Sequence, residues 1–190
     1  AIALAVVLAT AAWVGWDYWS TTRANRSGDA YSQALALARD GRTDEAKAAL
    51  AELEASGYGA YPVLARLRAA TLMAEAGDPQ GAVAGFDSVA DDRSVPAAIR
   101  DVARLRAGLV LVDHGAYADV AARVEPLTAD TNTLRHSARE ALALSAWKQG
   151  RMEDAATLFT QIIDDEGAPQ NMRQRAELMS ELIRGSGSSS

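Results

Sequence analysis

Two histidines, no cysteine and a few acidic clusters are all that the 190-residue chain offers for chemistry. Without cysteine, disulfides and thiolate metal sites are excluded and no redox compartment can be read. His114 stands directly before Gly115, where a side chain at a helix end interacts with the last carbonyls and the helix dipole. His136 is remote from it in sequence, so the two are not a ligand pair. The acidic clusters at Asp91–Asp92 and Asp164–Glu166 have the right residue type for calcium, but neither follows the EF-hand loop pattern, and both read as solvated loop charge. Phosphate-cradling, nucleophile-elbow and H-E-x-x-H motifs are absent. The expectation is a protein that is not an enzyme and takes no cofactor, metal or small-molecule substrate. A net charge of −6 argues against a nucleic-acid partner, which calls for a basic face.

The remaining chemistry is aromatic. Residues 13–19 read "WVGWDYW", placing three of the four tryptophans within seven positions of a chain that is only 6% aromatic. They follow "AIALAVVLATAAWVGW", sixteen residues without a charge, which as a helix rise about 24 Å. A bilayer core takes about 20 residues. The stretch reads as most of a transmembrane helix over residues 1–19, shortened at a start that is Ala1 rather than Met. Trp and Tyr gather where hydrocarbon meets headgroups, because their rings are apolar and their N–H or O–H needs a polar partner. Trp13, Trp16, Tyr18 and Trp19 therefore mark the membrane exit, and residues 20–27 read as a linker. Arg23 and Arg26 lie just beyond it; with no upstream flank to compare, they leave the orientation open.

The elements that follow repeat. Aligned on Gly41, Gly77, Gly115 and Gly150, four segments recur at spacings of 36, 38 and 35 residues. A small residue stands seven positions before each glycine (Ala34, Ala70, Gly108, Ala143) and a small or β-branched one five after it (Ala46, Ala82, Val120, Ala155). An apolar residue, mostly large, stands nine after it: Leu50, Phe86, Val124 and Phe159. Small residues let two antiparallel helices cross closely, the glycine ends the first helix in a left-handed conformation, and the apolar residue fills the gap to the next repeat. The pattern resembles the tetratricopeptide repeat, a helix-turn-helix unit of about 34 residues. It predicts an all-α right-handed solenoid of four divergent hairpins over 28–167. A capping helix over 168–184 buries Met172, Ala176, Met179 and Ile183, and a flexible tail follows over 185–190.

Counting from the turn glycines, the first helices of such a solenoid line a concave groove with Leu67, Thr71, Leu105, Leu109, Val112, Glu140, Leu144 and Trp147. Arg68, Arg104, Arg106 and Arg139 fall on the same helices as a candidate basic rim, suited to an extended or helical peptide carrying acidic residues.

An apolar N-terminal helix, the exit "GWDYW" and divergent repeats beginning near "RANRSGDAYSQALALARDGRTDEAKAALAEL" together resemble the YfgM-like family, ancillary subunits of the SecYEG translocon, in its alphaproteobacterial form. The resemblance implies a single-pass protein of the bacterial inner membrane with its repeat domain in the periplasm. It further implies contact with the translocon, with periplasmic chaperones and with emerging secretory proteins. Repeats alone equally suit an accessory subunit or assembly factor of another inner-membrane complex, such as a respiratory one.

Overall fold

The computed structural model describes residues 2–187; residues 1 and 188–190, and the side chains of residues 2, 4–6, 8, 9, 186 and 187, lie outside the description. The expected transmembrane segment and tail therefore fall partly outside it. Every regular element among the described residues is helical: α1 (Ile2–Arg39), α2 (Thr43–Ser56), α3 (Tyr61–Glu75), α4 (Pro79–Ala90), α5 (Ala97–His114), α6 (Tyr117–Val124), a 3-10 turn (Glu125–Leu127), α7 (Arg135–Lys148), α8 (Met152–Ile163) and α9 (Gln170–Gly187). They form two compact units, residues 1–72 and 73–190.

In the first unit α1 runs unbroken through residues 20–27, which correct the expected linker. The segment holds no proline, and the Ser20 and Thr22 hydroxyls donate back to the Asp17 and Tyr18 carbonyls, a local bond compatible with helix. Gly28 does not break the helix either. A Cβ there would lie 2.8 Å from the Tyr61 hydroxyl, so glycine is what lets Tyr61 approach the helix. Ala34, Ala46, Leu50, Leu53, Ala65 and Leu72 form the core of this unit. Among the described residues no helix is long and apolar enough to cross a membrane.

The second unit holds two linked cores. Leu105, Val120, Val124, Leu127 and Leu142 make the first. Ala143, Ala155, Phe159, Ile162, Ala176 and Ile183 make the second, with Met172 and Met179 packed against it. Helix α9 thus covers α8 with the four residues the sequence assigns to its apolar face. It extends through 185–187, which were expected to begin a flexible tail.

All twelve repeat positions are buried: the small residues before the glycine, those after it, and Leu50, Phe86, Val124 and Phe159. Three of the four glycines adopt the left-handed conformation, with φ of 76° at Gly41, 80° at Gly77 and 73° at Gly150. After each, the next residue donates to the carbonyl four before the glycine (Arg42 to Leu37, Asp78 to Met73, Arg151 to Ala146), closing a Schellman motif. Gly115 departs from the expectation. Its φ is −131°, an ordinary extended value, and it is needed for space, because a Cβ would sit 2.7 Å from Leu111 Cδ2.

One buried polar group fits this packing poorly. Ser145 on α7 is fully buried and its hydroxyl has no hydrogen-bond partner. Ser145→Ala removes an unsatisfied group and improves helix propensity, so stability in urea is expected to rise by about 1 kcal/mol.

Candidate functional site

Helix propensity carries α1 onward from its apolar start, and the described side chains from Thr10 to Trp19 are exposed. Trp13, Val14, Trp16, Tyr18 and Trp19 are all exposed, Tyr18 to 75%. Trp16 and Trp19 lie 5.3 Å apart by ring centroids, and Trp19 meets Tyr58 edge-on at 6.1 Å. The Arg23 guanidinium lies 4.8 Å from the Trp19 ring and 5.6 Å from that of Tyr58. The place of Tyr58 in this stack depends on a hydrogen bond from its N–H to the buried Ser27 hydroxyl, 2.9 Å, between residues 31 apart.

The residues assigned to a groove divide between the two units. Leu67 and Thr71 belong to the first unit, where both are partly buried and the Thr71 hydroxyl donates to the Leu67 carbonyl. In the second unit α5 packs on α7. Leu105 lies in the core, a correction to its place in the groove, because the α6 and α7 side chains close over it. Val112 leans on the same core, and Leu144 packs on the core beneath α9. Glu140 is held by Arg175 of α9 at 2.8 Å. Leu109 and Trp147 remain exposed, at 46% and 37%, on the two helices in contact.

The basic rim is likewise divided. Arg139 is buried to 7% exposure and bonded to Asp130 and to the Thr128 carbonyl, so it is an internal anchor and not a rim. Arg104 pairs with Asp101 at 2.8 Å and also donates to the Ala90 carbonyl. Arg106 is exposed and Arg68 partly buried.

A family model described as the tetratricopeptide repeat-like domain matches residues 1–173. The chain belongs to this family. No curated protein matches it. Tetratricopeptide repeat-like domains mediate protein–protein interaction and are typically non-enzymatic scaffolds. An interaction face is accordingly the kind of site to seek, and no group of three or more potential metal ligands occurs among the described residues.

In this tetratricopeptide repeat-like chain charged side chains join successive repeats. Arg123 reaches Asp87 at 2.7 Å, Lys148 reaches Asp113 and Arg175 reaches Glu140, over separations of 36, 35 and 35 residues. Such half-exposed pairs add little stability individually, about 0–1 kcal/mol, but they hold neighbouring helices in register. The available signal was opposite charge one repeat apart.

Asp165, read as solvated loop charge, is instead a hub. Arg135 grips it with two bonds of 2.7 and 3.0 Å, His136 Nε2 lies at 2.8 Å, Arg139 at 3.4 Å, and the Gly167 N–H donates at 2.9 Å. The Arg135 bonds above all, with those of His136 and Gly167, hold its carboxyl well below the usual carboxylate range. A depressed folded-state pKa contributes stability that is complete above the unfolded value of about 3.9 and disappears as pH falls below it. The wild type is therefore expected to lose stability progressively as pH drops below about 4. Asp165→Asn should be less stable at neutral pH and show a shallower acid slope, read by thermal melts between neutral pH and pH 2. Equal slopes for the two proteins would remove Asp165 from the account.

Proposed function

We propose that the chain is a membrane-anchored scaffold for protein–protein interaction. Residues 1–19 lie in the bacterial inner membrane as a single pass, and the repeats form a right-handed solenoid in the periplasm. The observation that carries this reading is the first part of α1. Among its described side chains Val7, Trp13, Val14, Trp16, Tyr18 and Trp19 are exposed, and the same helix runs without interruption into the first repeat core. Exposed large apolar side chains in a continuous run need a cover other than water, and the tryptophans stand at the end where an interface belongs.

The specific role is that of an ancillary translocon subunit of the YfgM-like kind, contacting SecYEG through the anchor and periplasmic chaperones or emerging secretory chains through the repeats. Leu109 and Trp147 are the exposed apolar residues suited to anchor a partner segment. Membrane attachment confines partners to a layer near the bilayer and raises their effective concentration, so weak contacts suffice. Fractionation of native membranes tests the anchor. The full chain should resist alkaline carbonate and be released by detergent, and a chain lacking residues 1–19 should appear in the soluble fraction. Release of the full chain by carbonate alone would overturn the reading.

A further inference from the structure

Several arginines of this protein are committed to carboxylates. Arg104, Arg123, Arg135, Arg139 and Arg175 each bond an acidic side chain. Arg23 and Arg26 are different: both are exposed and neither has an acidic partner among the described residues. Both line one cleft of the first unit with Ser27, Leu53, Ser56 and Gly57. Arg23 is held there by the faces of Trp19 and Tyr58, which fix the plane of its guanidinium and occupy none of its N–H donors.

The geometry points to this cleft as a site for the phosphate of an anionic phospholipid headgroup. The inference rests on the membrane reading of residues 1–19. Arg23 follows Trp19, the last ring of the belt, by four residues, about 6 Å along a helix, and Arg26 by seven, about 10 Å. The headgroup layer on one side of a bilayer is about 5–8 Å thick. With Trp19 at the hydrocarbon boundary, Arg23 falls at the depth of the lipid phosphates and Arg26 just outside it, within reach of its long side chain. A planar guanidinium with free donors is well shaped for a phosphate's oxygens. The cleft also receives the carboxyl end of α2 (Leu53, Ser56 and Gly57), whose dipole is negative. The two arginines must therefore supply the whole attraction, and no other basic residue lines the cleft to replace them.

The test uses the full chain in detergent, equilibrated with micelles containing phosphatidylglycerol or phosphatidylcholine, with bound lipid counted by native mass spectrometry. Phosphatidylglycerol should be retained in preference to phosphatidylcholine. Arg23→Gln and Arg26→Gln should each weaken retention about fivefold, from about 1 kcal/mol per arginine at a lipid surface. The double variant should lose the preference, and Arg39→Gln should keep it. Equal retention of both lipids, or a preference that survives in the double variant, would overturn the proposal. Full competition by inorganic phosphate would overturn it too, because the site would then take a free anion. Flotation with vesicles of pure phosphatidylcholine separates the two readings. A chain that floats but shows no lipid preference retains its anchor and loses this site; a chain that fails to float loses both.

Discussion

Phe159→Ala should lower the stability of the protein by about 3–5 kcal/mol, the range for deleting a buried phenyl ring from a packed core. Phe159 is 1% exposed and sits among Ala143, Ala146, Ile162, Ala176 and Ile183, where α7, α8 and α9 meet. Its neighbours are largely alanines, whose short side chains cannot swing into the space left behind, so the site collapses poorly and the upper part of the range is expected. Total stability is about 5–15 kcal/mol for an ordinary domain, so the loss is a large share of what holds the fold. Urea unfolding followed by far-ultraviolet circular dichroism reads the effect. Leu178→Ala is the matched control, since Leu178 on the outer face of α9 is 62% exposed and should cost under 1 kcal/mol. A loss below 1 kcal/mol for Phe159→Ala would mean that α9 does not seal this core.

Gly108→Leu should be of similar severity for the opposite reason. Gly108 occupies the small-residue position of the third repeat, and even a Cβ there would stand 2.3 Å from Val124 Cγ1. Alanine at a helix interior normally gains about 1 kcal/mol over glycine. A contact this short, between a helix backbone and a β-branched side chain in the core, exceeds that gain, so Gly108→Ala is expected to destabilise despite its better propensity. Leucine adds three further carbons to a site without room for one, and a loss of about 3 kcal/mol or more follows. The double-mutant cycle decides the cause. If the cost is the clash, Val124→Ala should offset much of the loss from Gly108→Ala, giving a coupling of about 1 kcal/mol or more. Additive effects would place the cost elsewhere.

The helical repeats were legible because their signals are local and recurrent. A glycine at a helix end, a small residue seven before and another five after make one statement about crossing helices, and four occurrences at nearly constant spacing make it hard to misread. The burial of all twelve positions follows from that. The linker was misread for lack of a counterweight: Ser, Thr, Asn and Gly favour turns in isolation, yet a long helix on either side carries residues 20–27 along. The site was less legible still. Leu105 and Leu109 look alike in sequence, one turn apart on α5, and only the packing of α6 and α7 buries the first and leaves the second exposed. Charges were hardest. Asp165 read as a surface residue because its partners Arg135, His136 and Arg139 lie 26 to 30 residues away, and ion pairs at that range leave no local pattern.

A membrane-anchored protein that presents its repeats should meet its partners at the membrane. Photo-crosslinkers at positions 13 and 147 of the full chain, activated in native membranes and followed by mass spectrometry, test this most directly. Translocon subunits are expected at position 13 and secretory chains or periplasmic chaperones at position 147. A single stoichiometric complex of another kind at both positions would contradict the translocon role and make the protein an accessory subunit of that complex. Lack of any integral-membrane product at position 13 would contradict the anchor itself.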